Sequence, residues 1–250
     1  MYGVEDYQDV MNNYRALEQQ LSSELGLTRR PVAIALADAA PAGVSQFTGS
    51  VPSGCSFWRL ASEGRVFFTV PGDHYNCPIG SYTHNIPLPR DRANDLGDTL
   101  GLMGDLGYLR MQEVAGIPVL PKTPAVIIYA PLGDTPADPD VVIFVTSPAS
   151  LMLLHESAIA AGVAANFNTL GRPTCMAVPA ALAGRMVVSA GCIGNRVYTD
   201  LGEGELYAAL PARDVPTLAD KAHAIAAANA KLQEYHQARR QQLTVVGADV

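Results

Sequence analysis

Charge is scarce in this chain, and basic charge is scarcer still. Only 16% of the 250 residues are charged, 17 basic against 24 acidic, for a formal net charge of −7. A balance of that sign argues against nucleic acid or an anionic membrane surface as a partner, because both are bound by a basic face. Long apolar runs are missing as well. The longest strand-like one, Val141-Val142-Ile143-Phe144-Val145, falls far short of the roughly 20 residues a spanning helix needs. The first residues, Met1-Tyr2-Gly3-Val4-Glu5-Asp6, carry neither a basic nor an apolar segment of the secretory kind, which points to a cytoplasmic protein. What the chain does have is apolar content. At 48% and 26.4 kDa it can bury one sizeable core or two small ones.

Several familiar catalytic signatures are also missing. His155-Glu156-Ser157-Ala158-Ile159 opens like a zincin helix but lacks the second histidine. Gly101, Gly104 and Gly107 have neither dinucleotide nor phosphate-loop spacing, and no G-x-S-x-G occurs. The four cysteines, Cys55, Cys77, Cys175 and Cys192, include no C-x₂₋₄-C pair of the structural-zinc kind. In a reducing compartment they are packing thiols, redox thiols or metal ligands, and their placement has to decide.

Apolar residues at three- and four-residue steps (Tyr7, Val10, Tyr14, Leu17, Leu21, Leu25) predict an N-terminal helix capped by Gly26. Strands are expected at Val32–Leu36, Pro124–Tyr129 and Val141–Val145, with a helix from Ser147 to about Ala161. A last helix is expected to open at Thr217-Leu218-Ala219-Asp220, bury Leu218, Ala222, Ile225 and Leu232, and fray from Gln237 onward.

The most informative pattern is a repeat. Cys55 is followed nine and ten positions later by Gly64-Arg65 and then Val66-Phe67-Phe68; Cys175 is followed at the same distance by Gly184-Arg185 and then Met186-Val187-Val188. Each run leads to a second cysteine beside Ile-Gly, at Cys77-Pro78-Ile79-Gly80 and Cys192-Ile193-Gly194, and then to Tyr82-Thr83 and Tyr198-Thr199. Each unit reads as a short helix ended by glycine and a strand running back. A helix of about eight residues rises ~12 Å and a returning strand of four to five residues covers ~13–17 Å, so the second cysteine ends near the level of the first. If the two units pair about a pseudo-twofold axis, all four sulfurs lie close together.

The local settings suit thiolate chemistry. Cys55 and Cys175 precede helix starts, where free N–H groups and the helix dipole favour the anion. Cys77 and Cys192 lie in Gly/Pro loops, whose amides can hydrogen-bond to sulfur. Scattered cysteines suit an iron–sulfur cluster, of the 4Fe–4S type, better than zinc, and Cys-Pro also closes iron–sulfur ligand runs. Buried packing thiols remain the plain alternative, above all for Cys175, which sits beside Met176, Ala177 and Val178.

The halves differ around these cysteines. The first carries Pro71-Gly72-Asp73-His74-Tyr75-Asn76 before Cys77 and His84 after it, and the second carries Asn195-Arg196 after Cys192. These residues suggest an asymmetric pocket with His74 as acid/base or metal ligand, Tyr75 as proton donor and Arg196 as anion clamp. Each is also an ordinary polar loop residue. Arg65 and Arg185, at the start of matching strands, read as structural.

From about Arg30 to about Pro211 the chain resembles the ArCR-type bacterial and archaeal domain family of unknown function. The resemblance rests on Cys55, Cys77-Pro78-Ile79-Gly80, Cys175, the Gly191-to-Arg196 loop with Tyr198-Thr199, and the stretch from Glu205 to Pro211. It implies that the cysteine loops define the family's character and brings no activity. The expected fold is a single α/β domain of two related halves, about 30–121 and 122–211, with helices packed on a mixed sheet. A helix over 1–29 and a helix and tail over 216–250 flank it. The alternative is two separable domains meeting near Pro121–Pro124. The expected function is a redox metalloprotein, serving a small-molecule reductase or passing electrons to a redox partner protein. The alternative is a small-ligand binding or sensing module with structural or redox-active thiols.

Overall fold

The computed structural model describes residues 4–163, 168–170 and 172–244. Helix α1 (Val4–Leu25) opens the chain and ends at Gly26, whose φ of +63° turns it toward β1 (Val32–Ala37). The first cysteine unit follows as α2 (Cys55–Ser62), β2 (Phe67–Thr69) and α3 (Pro78–Thr83). A segment carrying α4 (Asp95–Asp105) and α5 (Met111–Val114) then leads to β3 (Val126–Pro131). After β4 (Val141–Thr146), α6 (Pro148–Ala160) and β5 (Asn168–Leu170) comes the second unit, α7 (Ala177–Leu182), β6 (Val187–Ser189) and α8 (Ile193–Thr199). Strand β7 (Leu206–Pro211) and helix α9 (Val215–Thr244) close the described chain.

The strands form one seven-stranded sheet in the order β2-β3-β1-β4-β7-β6-β5, antiparallel except for the parallel pair β5–β6, so the fold is mixed α/β. β1 meets β4 at the centre, with Val32 opposite Ile143 and Ile34 opposite Val141. On one side Val32 pairs with Pro131 and Phe67 with Tyr129; on the other Val141 pairs with Pro211 and Val187 with Ala209. The two flanks therefore run in matching register outward from the central pair.

The sheet is covered on both faces, and period-two alternation sorts its residues between them. Val32, Ile34, Val141 and Ile143 join α2 and α7 in one core. Ala33, Val142, Phe144 and Leu210 join α1, α6 and α9 in the other. β4 is buried at all six positions, which is why it reads as an unbroken apolar run and not as an alternating one.

The helix boundaries correct two expectations. α9 starts at Val215, so Thr217 lies inside its first turn and is not the cap, and the helix continues through the polar stretch to Thr244. Leu232 is exposed, because the helix has left the body of the fold by that point. The side chains of Tyr7 and Val10 lie outside the described residues; Leu17, Leu21 and Leu25 are buried. No helix among the described residues is long and apolar enough to cross a membrane.

Candidate functional site

Each cysteine is placed by a short helix. Cys55 is the first residue of α2, Cys175 lies in the 3₁₀ turn Thr174–Met176 that leads into α7, and Cys77 and Cys192 are the N-caps of α3 and α8. Gly64 and Gly184, with φ of +104° and +86°, end the first helix of each unit and send the chain back along β2 and β6. The four cysteines converge on one cavity of about 300 Å³. Cys55 and Cys175 are buried, while Cys77 and Cys192 are half-buried. Cys175, which its apolar neighbours alone would assign to the packing, lines this cavity with the other three.

Burial sets the electrostatics. It pushes the Cys55 thiol well above its usual range, and the neighbouring Cys175, Cys77 and Cys192 add to the shift because anionic sulfurs would repel one another. Burial raises Cys175 in the same way, with Cys77 and Cys192 adding to it. Cys77 is raised by burial too, but backbone N–H groups of Gly80, Gly54 and Ile79 hold it back. The expectation that helix starts favour thiolates at Cys55 and Cys175 is thus corrected: desolvation outweighs the short helices. The loop-amide expectation holds at Cys77, whose Sγ accepts from the Gly80 N–H at 3.2 Å, and does not hold at Cys192, which makes no side-chain cap bond. Burial disfavours ionisation of Cys55, Cys77 and Cys175, and a bound cation would supply the charge that offsets it.

Two further groups act on the sulfurs. The Asn195 side chain tempers the rise of the Cys55 pKa, and the Thr83 side chain that of Cys175, so each half supports a cysteine of the other. Asn195 is itself buried, its amide nitrogen donating to the Tyr207 hydroxyl while Oδ1 has no partner. Gly191 makes room for it: a Cβ there would lie 2.7 Å from Oδ1, and the φ of +78° is strained for any other residue. The repeated Tyr-Thr pair was the sequence signal for Thr83.

The three asymmetric residues sit elsewhere. His74 is buried beneath the Phe57 ring, its Nε2 2.8 Å from the Thr69 hydroxyl. Burial, helped by nearby His84, lowers its pKa to about 3, so the ring is neutral. His84 is likewise buried and lowered to about 4 by burial. Tyr75 is half-buried and does not line the cavity. Arg196 donates three of its five N–H groups to the carbonyls of Ala190, Gly202 and Glu205, which makes it a clamp on the loop after β6. The cavity wall instead comes from residues that sequence reasoning passed over: Leu100, Met103 and Tyr108 from the segment around α4, Ile117, and Arg172 just before the second unit.

Among the described residues no three His, Cys, Asp or Glu side chains form a group that could hold a single metal ion. A tetrahedral zinc with four thiolates needs its sulfurs about 3.8 Å apart, from a Zn–S bond of about 2.3 Å. An iron–sulfur cluster spreads its thiolates over separate irons and tolerates wider spacing. The four thiols line one cavity without forming a single-ion group among the described residues.

No curated protein and no solved structure matches this chain. The cysteine units, the sheet that carries them and part of α1 and α9 all fall within residues 20–221, and over that span the chain belongs to the uncharacterised ArCR family.

Proposed function

We propose that this protein is a cytoplasmic redox metalloprotein in which Cys55, Cys77, Cys175 and Cys192 hold one iron–sulfur cluster of the 4Fe–4S type. The observation that carries the reading is the convergence of two thiols from each half on one cavity. Such a cluster supplies one-electron transfer. The chain's own residues do the rest. Cys55 and Cys175 anchor from the buried side, while the Gly80 N–H supplies Cys77 with a hydrogen bond of the kind that raises a cluster's potential. Cys77 and Cys192 are the more exposed pair and mark the route to a small-molecule acceptor or a redox partner protein. Ligation by all four thiols makes electron transfer, and not direct binding of substrate to iron, the role of the centre.

A second reading, a small-ligand module with reduced structural thiols, is favoured by the apolar wall of the same cavity. Colour separates the two. Anaerobically purified protein is expected to be brown, with broad absorbance near ~400 nm that bleaches on reduction. A colourless preparation at full yield supports the second reading.

A further inference from the structure

Of the thirteen large apolar side chains that stand exposed among the described residues, seven lie on two short stretches beside the cysteine cavity. Leu102, Leu106, Tyr108 and Met111 belong to the α4–α5 segment of the first half, at 60, 73, 40 and 55% exposure. Ile193, Val197 and Tyr198 lie on α8 of the second half, at 63, 64 and 45%. Tyr108, Ile193 and Tyr198 line the cavity and are open to solvent as well, so they stand at its mouth. Helix geometry extends the patch outward from there. Leu106 lies three residues beyond Met103, which lines the cavity, and one turn from Leu102, while Val197 lies one turn from Ile193. Large side chains exposed to this degree leave on the order of 100 Å² each, so the patch offers roughly 700 Å² of apolar surface. That is above what a monomeric soluble protein usually leaves open.

We infer that this face is where two copies of the chain associate, patch against patch about a twofold axis, over the mouth of the cysteine cavity. The area fits, because a standard stable interface buries ~800 Å² per partner and transient redox encounters bury less. The charge fits as well. A net charge of −7 opposes self-association in general, and the patch is where that repulsion is weakest. Between Leu102 and Met111 the charged residues are Asp105 and Arg110, which cancel. Between Ile193 and Tyr198 there is only Arg196, which is bonded to three carbonyls. A partner recognised by its charge would find no field of one sign here. A second copy needs none, since it brings the same apolar face, as twofold pairing requires. Seated there it closes the mouth, and exchange with an external acceptor then requires the pair to separate. The inference rests on this surface and not on what the thiols hold.

Sedimentation velocity of the anaerobically purified protein over the micromolar range is the test, with iron measured on the same samples. The parent is expected to be dimeric. Leu106→Glu and Val197→Glu are each expected to weaken the dimer at least tenfold, because each places an unpaired carboxylate in the interface. Leu243→Glu, at an equally exposed apolar position on α9, should leave the dimer unchanged, and weakening to the same degree would refute the assignment. A monomeric parent overturns the inference and leaves the face to a different protein. Folded Leu106→Glu and Val197→Glu proteins that dimerise as the parent does overturn it too. If these variants do not fold, carbene footprinting of the parent decides. Leu106, Met111, Val197 and Tyr198 should be labelled at least threefold less in the dimer than after dilution to monomer, with Leu243 as the reference, and equal labelling refutes the face. Iron-free protein that dimerises through this face counts against the cluster and leaves this inference standing; an iron-loaded monomer does the reverse.

Discussion

The two halves of the molecule present their cysteines in the same way and pack them by different means. In the first half α2 lays aromatic side chains on the sheet, where Phe57 meets Phe47, Phe67, His74 and Tyr129 at ring separations between 5.0 and 5.8 Å and Trp58 meets Tyr207. In the second half the corresponding helix α7 presents Ala177, Val178, Ala180 and Ala181. Cys77 is capped by a backbone amide, whereas the loop after Cys192 is held by the three carbonyl bonds of Arg196. Only the first half carries the α4–α5 segment that walls the cavity. Strand register and thiol placement are therefore what the halves have in common, and core filling and cavity wall are what distinguishes them.

The strongest test of this comparison replaces the thiols one at a time. Cys55→Ser, Cys77→Ser, Cys175→Ser and Cys192→Ser are each expected to lose most of the bound iron, because serine is a harder and less acidic ligand. Metal analysis that found iron retained in both variants of one half would break the equivalence of the halves.

A pH difference should follow from the two buried histidines, which only the first half contains at such positions. Their folded pKa values, about 3 and about 4, lie below the ordinary 6.5, so the unfolded chain takes up protons first as the pH drops. Stability from the neutral rings is complete above pH ~6.5 and declines as the pH falls toward the folded values. Urea midpoints measured between about pH 7.5 and 4.5 should show this decline. His74→Gln is expected to flatten the slope by about one proton relative to the parent; an unchanged slope would mean that His74 is not held neutral.

Smaller effects separate the two cores. Phe57→Ala should cost about 3–5 kcal/mol in denaturant unfolding, since it empties the centre of the aromatic cluster. Val178→Ala, a truncation on α7, removes two methyl-sized groups and should cost about 2 kcal/mol. Equal costs would show that the cores are not differently packed. Arg196→Lys should cost about 1–2 kcal/mol despite the retained charge, because an ammonium cannot reach three divergent carbonyls. A neutral outcome would return Arg196 to the role of a free anion clamp.

The convergence of the cysteines was legible in the sequence. The matched Cys-to-Gly-Arg spacing and the helix-out, strand-back length argument brought Cys55, Cys77, Cys175 and Cys192 to one level, and the structure lines one cavity with them. The strands at Val32, Val126 and Val141 were legible from apolar runs of strand length. The cavity wall was not. Arg172 owes its role to Tyr108 and Glu113, partners about 60 positions away, and no local spacing records that contact. His74 misled for a related reason: Pro-Gly-Asp-His reads as an exposed loop, yet it folds as a 3₁₀ turn that tucks the ring beneath Phe57. The helical run to Thr244 was hidden by its polar composition, because an exposed helix beyond the core needs no apolar stripe.

The central claim is that thiols from both halves hold one cluster, and chemical analysis of iron and acid-labile sulfide in anaerobically purified parent protein tests it most directly. The account expects about four of each per chain, falling together in every single cysteine variant. Iron-free, sulfide-free protein obtained at full yield from an iron-replete anaerobic preparation would contradict it.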